Sequence, residues 1–114
     1  MSDDMETNEL ISVAMQIILH AGDARVKTEN ALEQAKAFEF EKAKELIIEA
    51  KECIRLAHQS QTEVIQNETR GKTYEPSLLF NHAQDTLMTI MSEHKLAKEI
   101  IDLIEIVNQK INNK

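Results

Sequence analysis

The chain has 114 residues, a length that fits one domain, 1–114. Two glycines and one proline are too few for an all-β fold, and no Gly-rich loop exists to cradle a nucleotide phosphate, while 42% hydrophobic residues exclude disorder and leave an all-α domain. The formal net charge of −7 speaks against nucleic acid or an anionic membrane surface, because no Lys/Arg stripe is present to neutralise phosphates.

In chain order, the N-terminus reads Met1-Ser2-Asp3-Asp4-Met5-Glu6. A secretory signal would be basic and then apolar, and no apolar run approaches the ~18 residues of a membrane span. A cytoplasmic protein without membrane insertion is expected. The first apolar stripe is Leu10, Val13, Ile17, Ala21, Ala24, Thr28, Ala31 and Ala35. It predicts a helix over about 4–37, capped by Asp3 or Asp4, with a kink marked by Gly22.

The second stripe is Ala43, Leu46, Ile47, Ala50, Cys53, Ile54, Ala57, Gln61 and Val64, a helix over about 40–69. The turn before it, Ala37-Phe38-Glu39-Phe40, carries no glycine, proline or good cap. It is inferred because one helix through both stripes would leave its apolar face without a partner in this chain. Cys53, the only cysteine, reads as core and can form no internal disulfide, in keeping with a reducing compartment.

Gly71 to Pro76 is the one obvious loop, and Ser77 is a plausible N-cap for the third helix, over about 77–112. Its heptad stripe is Phe80, Ala83, Leu87, Ile90, His94, Ala97, Ile101, Ile104, Asn108 and Ile111. Leu79, Ile100, Leu103 and Val107 widen that stripe. Three antiparallel helices of similar length would bury all three stripes.

With 29% charged residues overall, a 16-residue window should hold four or five, yet Ser77–Ser92 holds one, Asp85. Opposite the heptad stripe lie Leu78, Asn81, His82, Asp85, Met88, Thr89 and Ser92, not the Lys and Glu of a solvated face. Either this face meets a partner, such as another copy of the chain, or the helix is better buried within the monomer. His82 and Asp85 share one face, where a carboxylate can orient an imidazole nucleophile or hold a hard cation. His94 reads as a satisfied bundle histidine, and His20 and His58 as interface or surface residues. No Cys/His pair has zinc spacing, and no Glu-x-x-His occurs. Met15, Met88 and Met91 read as packing.

The string His82-Ala83-Gln84-Asp85-Thr86-Leu87-Met88-Thr89, preceded by Ser77-Leu78-Leu79, closely resembles the signature of the lactose/cellobiose-type IIA component of the bacterial sugar phosphotransferase system. Gly22-Asp23-Ala24-Arg25 and Gln61-Thr62-Glu63-Val64-Ile65 resemble two further elements of that family, so the likeness spans about 7–110. The family's second motif histidine is Thr86 here, and its usual Gly-Asp between the first two helices is Phe38-Glu39. The resemblance implies a three-helix protomer that assembles as a homotrimer. It implies that His82 accepts a phosphoryl group from phosphohistidine on HPr and passes it to a cysteine of the IIB component, during uptake of a disaccharide of lactose, cellobiose or chitobiose type. It implies that Gln84 supports the site and that Asp85 meets its copies at the trimer axis around a divalent cation, Mg²⁺ by ligand chemistry, with no nucleotide needed. A non-catalytic trimeric adaptor binding a partner through the outer face of the third helix is the alternative. A metal-dependent enzyme using His82 and Asp85 has too few ligands in one chain.

Overall fold

The computed structural model describes the backbone of residues 2–113 and the side chains of residues 9–113. Three helices follow one another: α1 Ser2–Lys36, α2 Phe40–Thr69 and α3 Leu78–Asn112. They form a rod of 70 × 21 × 18 Å. α1 already includes Asp3 and Asp4, so neither precedes it as a cap, and their side chains lie outside the described residues. The helix runs unbroken through Gly22.

The core follows the three stripes. α1 buries Leu10, Ala14, Ile17, Ala21, Ala24, Thr28, Ala31 and Ala35. Ala14 replaces the expected Val13, which is half-buried. Five of these eight are alanines, and such short side chains let α2 and α3 approach the α1 backbone closely. α2 buries Ala43, Ile47, Ala50, Ile54, Ala57, Gln61 and Val64. α3 buries Phe80, Ala83, Leu87, Ile90, Ala97 and Ile101. The core is divided into two clusters, Leu10 to Ile90 at one end and Ala31 to Ile101 at the other. Near their boundary Thr28 Oγ1 donates to the Ala24 carbonyl at 2.7 Å. His94 Nε2 lies 2.9 Å from the Ile47 carbonyl oxygen, and since a carbonyl only accepts, Nε2 carries the proton. The sequence reading of His94 as a satisfied bundle histidine agrees with this contact.

The two connections close by the same hydrogen bonds. After α2, Gly71 N–H donates to the Glu68 carbonyl and Lys72 N–H to the Asn67 carbonyl. After α1, Phe38 N–H donates to the Ala35 carbonyl and Glu39 N–H to the Gln34 carbonyl. Both are Schellman closures, which need a left-handed residue at the turn. Gly71 supplies it at φ 96° and Phe38 at φ 61°. Phe38 thus takes the conformation for which glycine is favoured. Glu39 precedes α2 without a side-chain cap, whereas Ser77 Oγ accepts from Phe80 N–H at 3.1 Å and caps α3 as expected. Lys72 then ties the second connection to α1 through Glu9, 2.9 Å away, and this bond holds the Lys72 ammonium above its usual pKa.

Two expectations for α3 fail. Ile100, Leu103 and Val107 do not widen the buried stripe; all three stay exposed, as does Ile111. In addition, the face opposite the core is not covered within the protomer. All seven of Leu78, Asn81, His82, Asp85, Met88, Thr89 and Ser92 are exposed, Leu78 at 85% and Met88 at 58%. The reading of a better-buried helix in the monomer is therefore wrong. A three-helix bundle has one core, and this face points away from it. Met15 is exposed too, so only Met91 of the three methionines packs against the core.

Candidate functional site

His82 stands in the second turn of α3, exposed on the outer face. The Ser77 cap fixes where the helix begins and hence which way His82 points, because Phe80, Ala83 and Leu87 must face the core. Among the described residues, no side chain hydrogen bonds its ring. Asp85 lies one turn further along the same face, also exposed, and the structure does not join it to His82. The expected orienting carboxylate is therefore not at work within one chain. Thr86, where the family pattern has a histidine, is turned back on its own helix: its Oγ1 donates to the His82 carbonyl at 2.8 Å. Thr89 does the same to the Asp85 carbonyl at 2.8 Å. Neither hydroxyl is thereby directed outward.

Gln84 takes a different direction. Two residues along a helix turn the side chain to the far side, so Gln84 does not adjoin the His82 ring. It lines a pocket of about 150 Å³ with Tyr74, Ser77 and Asn81, over a floor of Leu10 and Phe80. Asn67 Nδ2 donates to the Tyr74 hydroxyl at 2.9 Å beside it, anchoring the loop that leads into α3.

An ion pair that the sequence reading did not foresee joins α1 to α3. Arg25, the last residue of the Gly22-Asp23-Ala24-Arg25 element, donates through Nη2 to Glu93 Oε1 at 2.9 Å and through Nε to Oε2 at 3.2 Å. The hydrogen bond to Glu93 holds the guanidinium above its usual pKa. Both side chains are close to half exposed, so the pair sets register more than it adds stability. The offset of 68 residues between its members brings α1 near Ala14 level with His82. The exposed apolar residues Ile11, Met15 and Leu19 of α1 then lie at the height of His82, as Leu78 and Met88 do on α3. A charge-poor, imidazole-bearing face at the height of exposed apolar side chains suits a protein partner more than a small polar ligand.

The remaining nucleophile and histidines are set differently. Burial is the main cause that pushes the Cys53 thiol above its usual pKa, so it is a poor nucleophile at neutral pH. His58 Nδ1 lies 3.3 Å from Thr62 Oγ1 on the exposed side of α2. Among the described residues, no group of three or more His, Cys, Asp or Glu is placed to hold a metal within one chain.

The family model for the lactose/cellobiose-specific IIA subunit of the phosphotransferase system matches residues 12–105. The chain belongs to that family. It is 40% identical over 99 residues to a lactose-specific EIIA component from Staphylococcus epidermidis, a match covering 87% of this chain and 95% of the relative. Among solved structures it resembles the cellobiose-specific enzyme IIA from Bacillus anthracis with a TM-score of 0.83 at 42% identity, over 87% of this chain and 91% of that one. It also resembles the Escherichia coli IIA(chitobiose) of an IIA–HPr complex with a TM-score of 0.76 at 36% identity, over 87% and 96% of the two chains. As an IIA component the protein is part of a phosphotransferase system for sugar transport. No described helix is long and apolar enough to cross a membrane.

Proposed function

We propose that the chain is a cytoplasmic phosphocarrier whose acceptor is His82. The carrying observation is the exposed His82 imidazole, without a side-chain hydrogen bond among the described residues, on a charge-poor helix face within a motif of the IIA family. In the first step a neutral ring nitrogen attacks phosphorus on the phosphohistidine of HPr. One P–N bond breaks on the donor as another forms on His82. In the second step a cysteine thiolate of the IIB component takes the phosphoryl group, and the His82 ring leaves neutral. Neither step consumes a nucleotide. HPr as donor is supported by the related IIA(chitobiose), which is described in complex with HPr. The sugar, a disaccharide of the lactose, cellobiose or chitobiose type, is phosphorylated downstream and never meets this protein.

Phosphoryl transfer needs positioning and charge stabilisation more than covalent machinery. The first turn of α3 carries no acidic residue, so its free N–H groups keep their partial positive charge near the phosphorylated ring. The apolar residues at the height of His82 supply the contact area for a partner that must bind and leave. Gln84 is assigned a supporting role through its pocket: it buttresses the loop and α3 N-terminus rather than touching the ring.

The same reading includes a homotrimer about α3. Asp85, Thr89, Leu96, Ile100, Leu103, Val107 and Ile111 recur at helical spacing on one exposed row. Three copies meeting along that row would bring three Asp85 carboxylates together, whose repulsion protonation or a cation must relieve. The donor set fits a hard ion such as Mg²⁺, since each copy offers carboxylate oxygen and nothing softer. In the trimer Asp85 would hold the ion, and the ion would supply charge compensation alone. Asp85→Leu is therefore expected to keep or strengthen the assembly, because it replaces a buried charge cluster with apolar surface. Monomers of this variant on a sizing column, beside an oligomeric wild type, would contradict the axial placement of Asp85.

The function is tested by intact mass after incubation with phosphoenolpyruvate, enzyme I and HPr. One acid-labile phosphate per chain is expected, absent in His82→Ala. An unmodified wild-type chain would overturn the carrier reading and favour a binding adaptor that uses the same face.

A further inference from the structure

Phe38 is the one non-glycine residue with positive φ among those described. A left-handed conformation crowds the Cβ of an L-residue against the following carbonyl, and glycine or asparagine makes the same turn at lower cost. The Schellman hydrogen bonds use only the backbone, so the turn itself does not require an aromatic ring. Yet the ring that occupies this strained position is 60% exposed. Its one aromatic neighbour is Phe40, with ring centroids 6.1 Å apart at 48°. On its other side it borders an apolar groove of about 300 Å³ with Leu103, Ile104, Val107 and Ile111 of α3. Leu103 and Ile111 are themselves 59% and 61% exposed.

Of these, Leu103, Val107 and Ile111 belong to the exposed α3 row that runs from Asp85 to Ile111, while Ile104 packs against the core. Where copies of a chain pack about such a row by rotational symmetry, whatever flanks the row in one copy flanks the row of the next. The α1–α2 turn flanks it here. We propose that Phe38 is an assembly contact, its ring packing onto Leu103, Val107 and Ile111 of a neighbouring copy of this chain and closing the far end of the seam. The inference rests on the proposed self-association through α3, and it adds a residue outside α3 to that interface. A strained, exposed aromatic beside a bare apolar stripe is then explained by burial that only the assembly completes.

Sedimentation equilibrium over a dilution series tests this on the wild type, Phe38→Gly and Phe38→Asn. Both replacements suit the left-handed turn, so helix content by circular dichroism should be unchanged. The expected result is an oligomeric wild type and a dissociation constant raised ~10-fold or more in both variants, as for loss of a buried aromatic anchor. Variants that assemble like the wild type would overturn the proposal, confining the ring to contacts within its own chain and leaving the α3 seam intact. A wild type that is monomeric at every concentration would overturn the seam and this contact together.

Discussion

The two interhelical connections are built on one hydrogen-bond pattern and use opposite residues. Gly71 closes α2 at φ 96° and Phe38 closes α1 at φ 61°. Gly71 relieves a conformational demand and nothing more, and a Cβ built on it meets no atom within 4 Å. Phe38 meets the same demand at a cost and brings a ring to the surface. One end of the rod is therefore closed economically, beside the loop that leads to His82. The other end carries strain and apolar surface together. Local backbone requirements account for the first and not for the second, which is why the second points outside the protomer.

Three substitutions sharpen this contrast, each read by thermal unfolding at one fixed protein concentration. Gly71→Ala should cost most, about 1–2 kcal/mol, because the Cβ must adopt the left-handed region although space is free. No loss of stability there would show that this backbone position tolerates a side chain and would remove the asymmetry. Ser77→Ala should cost about 1 kcal/mol, through loss of the bond that Phe80 N–H makes to its hydroxyl. Full stability would mean that the α3 start is held by the Tyr74 loop instead. Gly22→Ala should raise stability by up to about 1 kcal/mol. Gly22 sits inside a helix, shows no positive φ, and has open space where a Cβ would go. A fall in stability would reveal something outside the protomer packed against that face.

What the sequence made legible follows from which features carry a side-chain signature. Ser77 before a run of apolar residues announces a cap, and Gly71 with Pro76 announces a loop. The α1–α2 turn has no such mark, because its closure is made by backbone groups around Phe38 and by an uncapped Glu39. The core stripes were largely readable from spacing, since alanines at positions such as Ala21, Ala24 and Ala31 recur at the helical period, although Ala14 is buried where the spacing pointed to Val13. Ile100, Leu103 and Val107 misled because apolar character says that a residue seeks burial, not whether its own chain provides it. The charge-poor window around His82 pointed to a covered face, and the structure leaves that face exposed within the protomer. His82 itself was singled out chiefly by the motif: among the described residues no side-chain hydrogen bond marks it, and Asp85 on the same face is not joined to it. Arg25–Glu93 was invisible, because the register between α1 and α3 depends on two connections whose lengths do not specify it.

The most direct test of the central claim follows the side chains of all four histidines by nitrogen-correlated NMR, before and after phosphorylation by phosphoenolpyruvate, enzyme I and HPr. The account predicts a large change at the His82 ring nitrogens alone. His94 should remain bonded to the Ile47 carbonyl, and His20 and His58 should be essentially unmoved. A phosphorylated ring at His20, His58 or His94, with His82 unchanged, would contradict it.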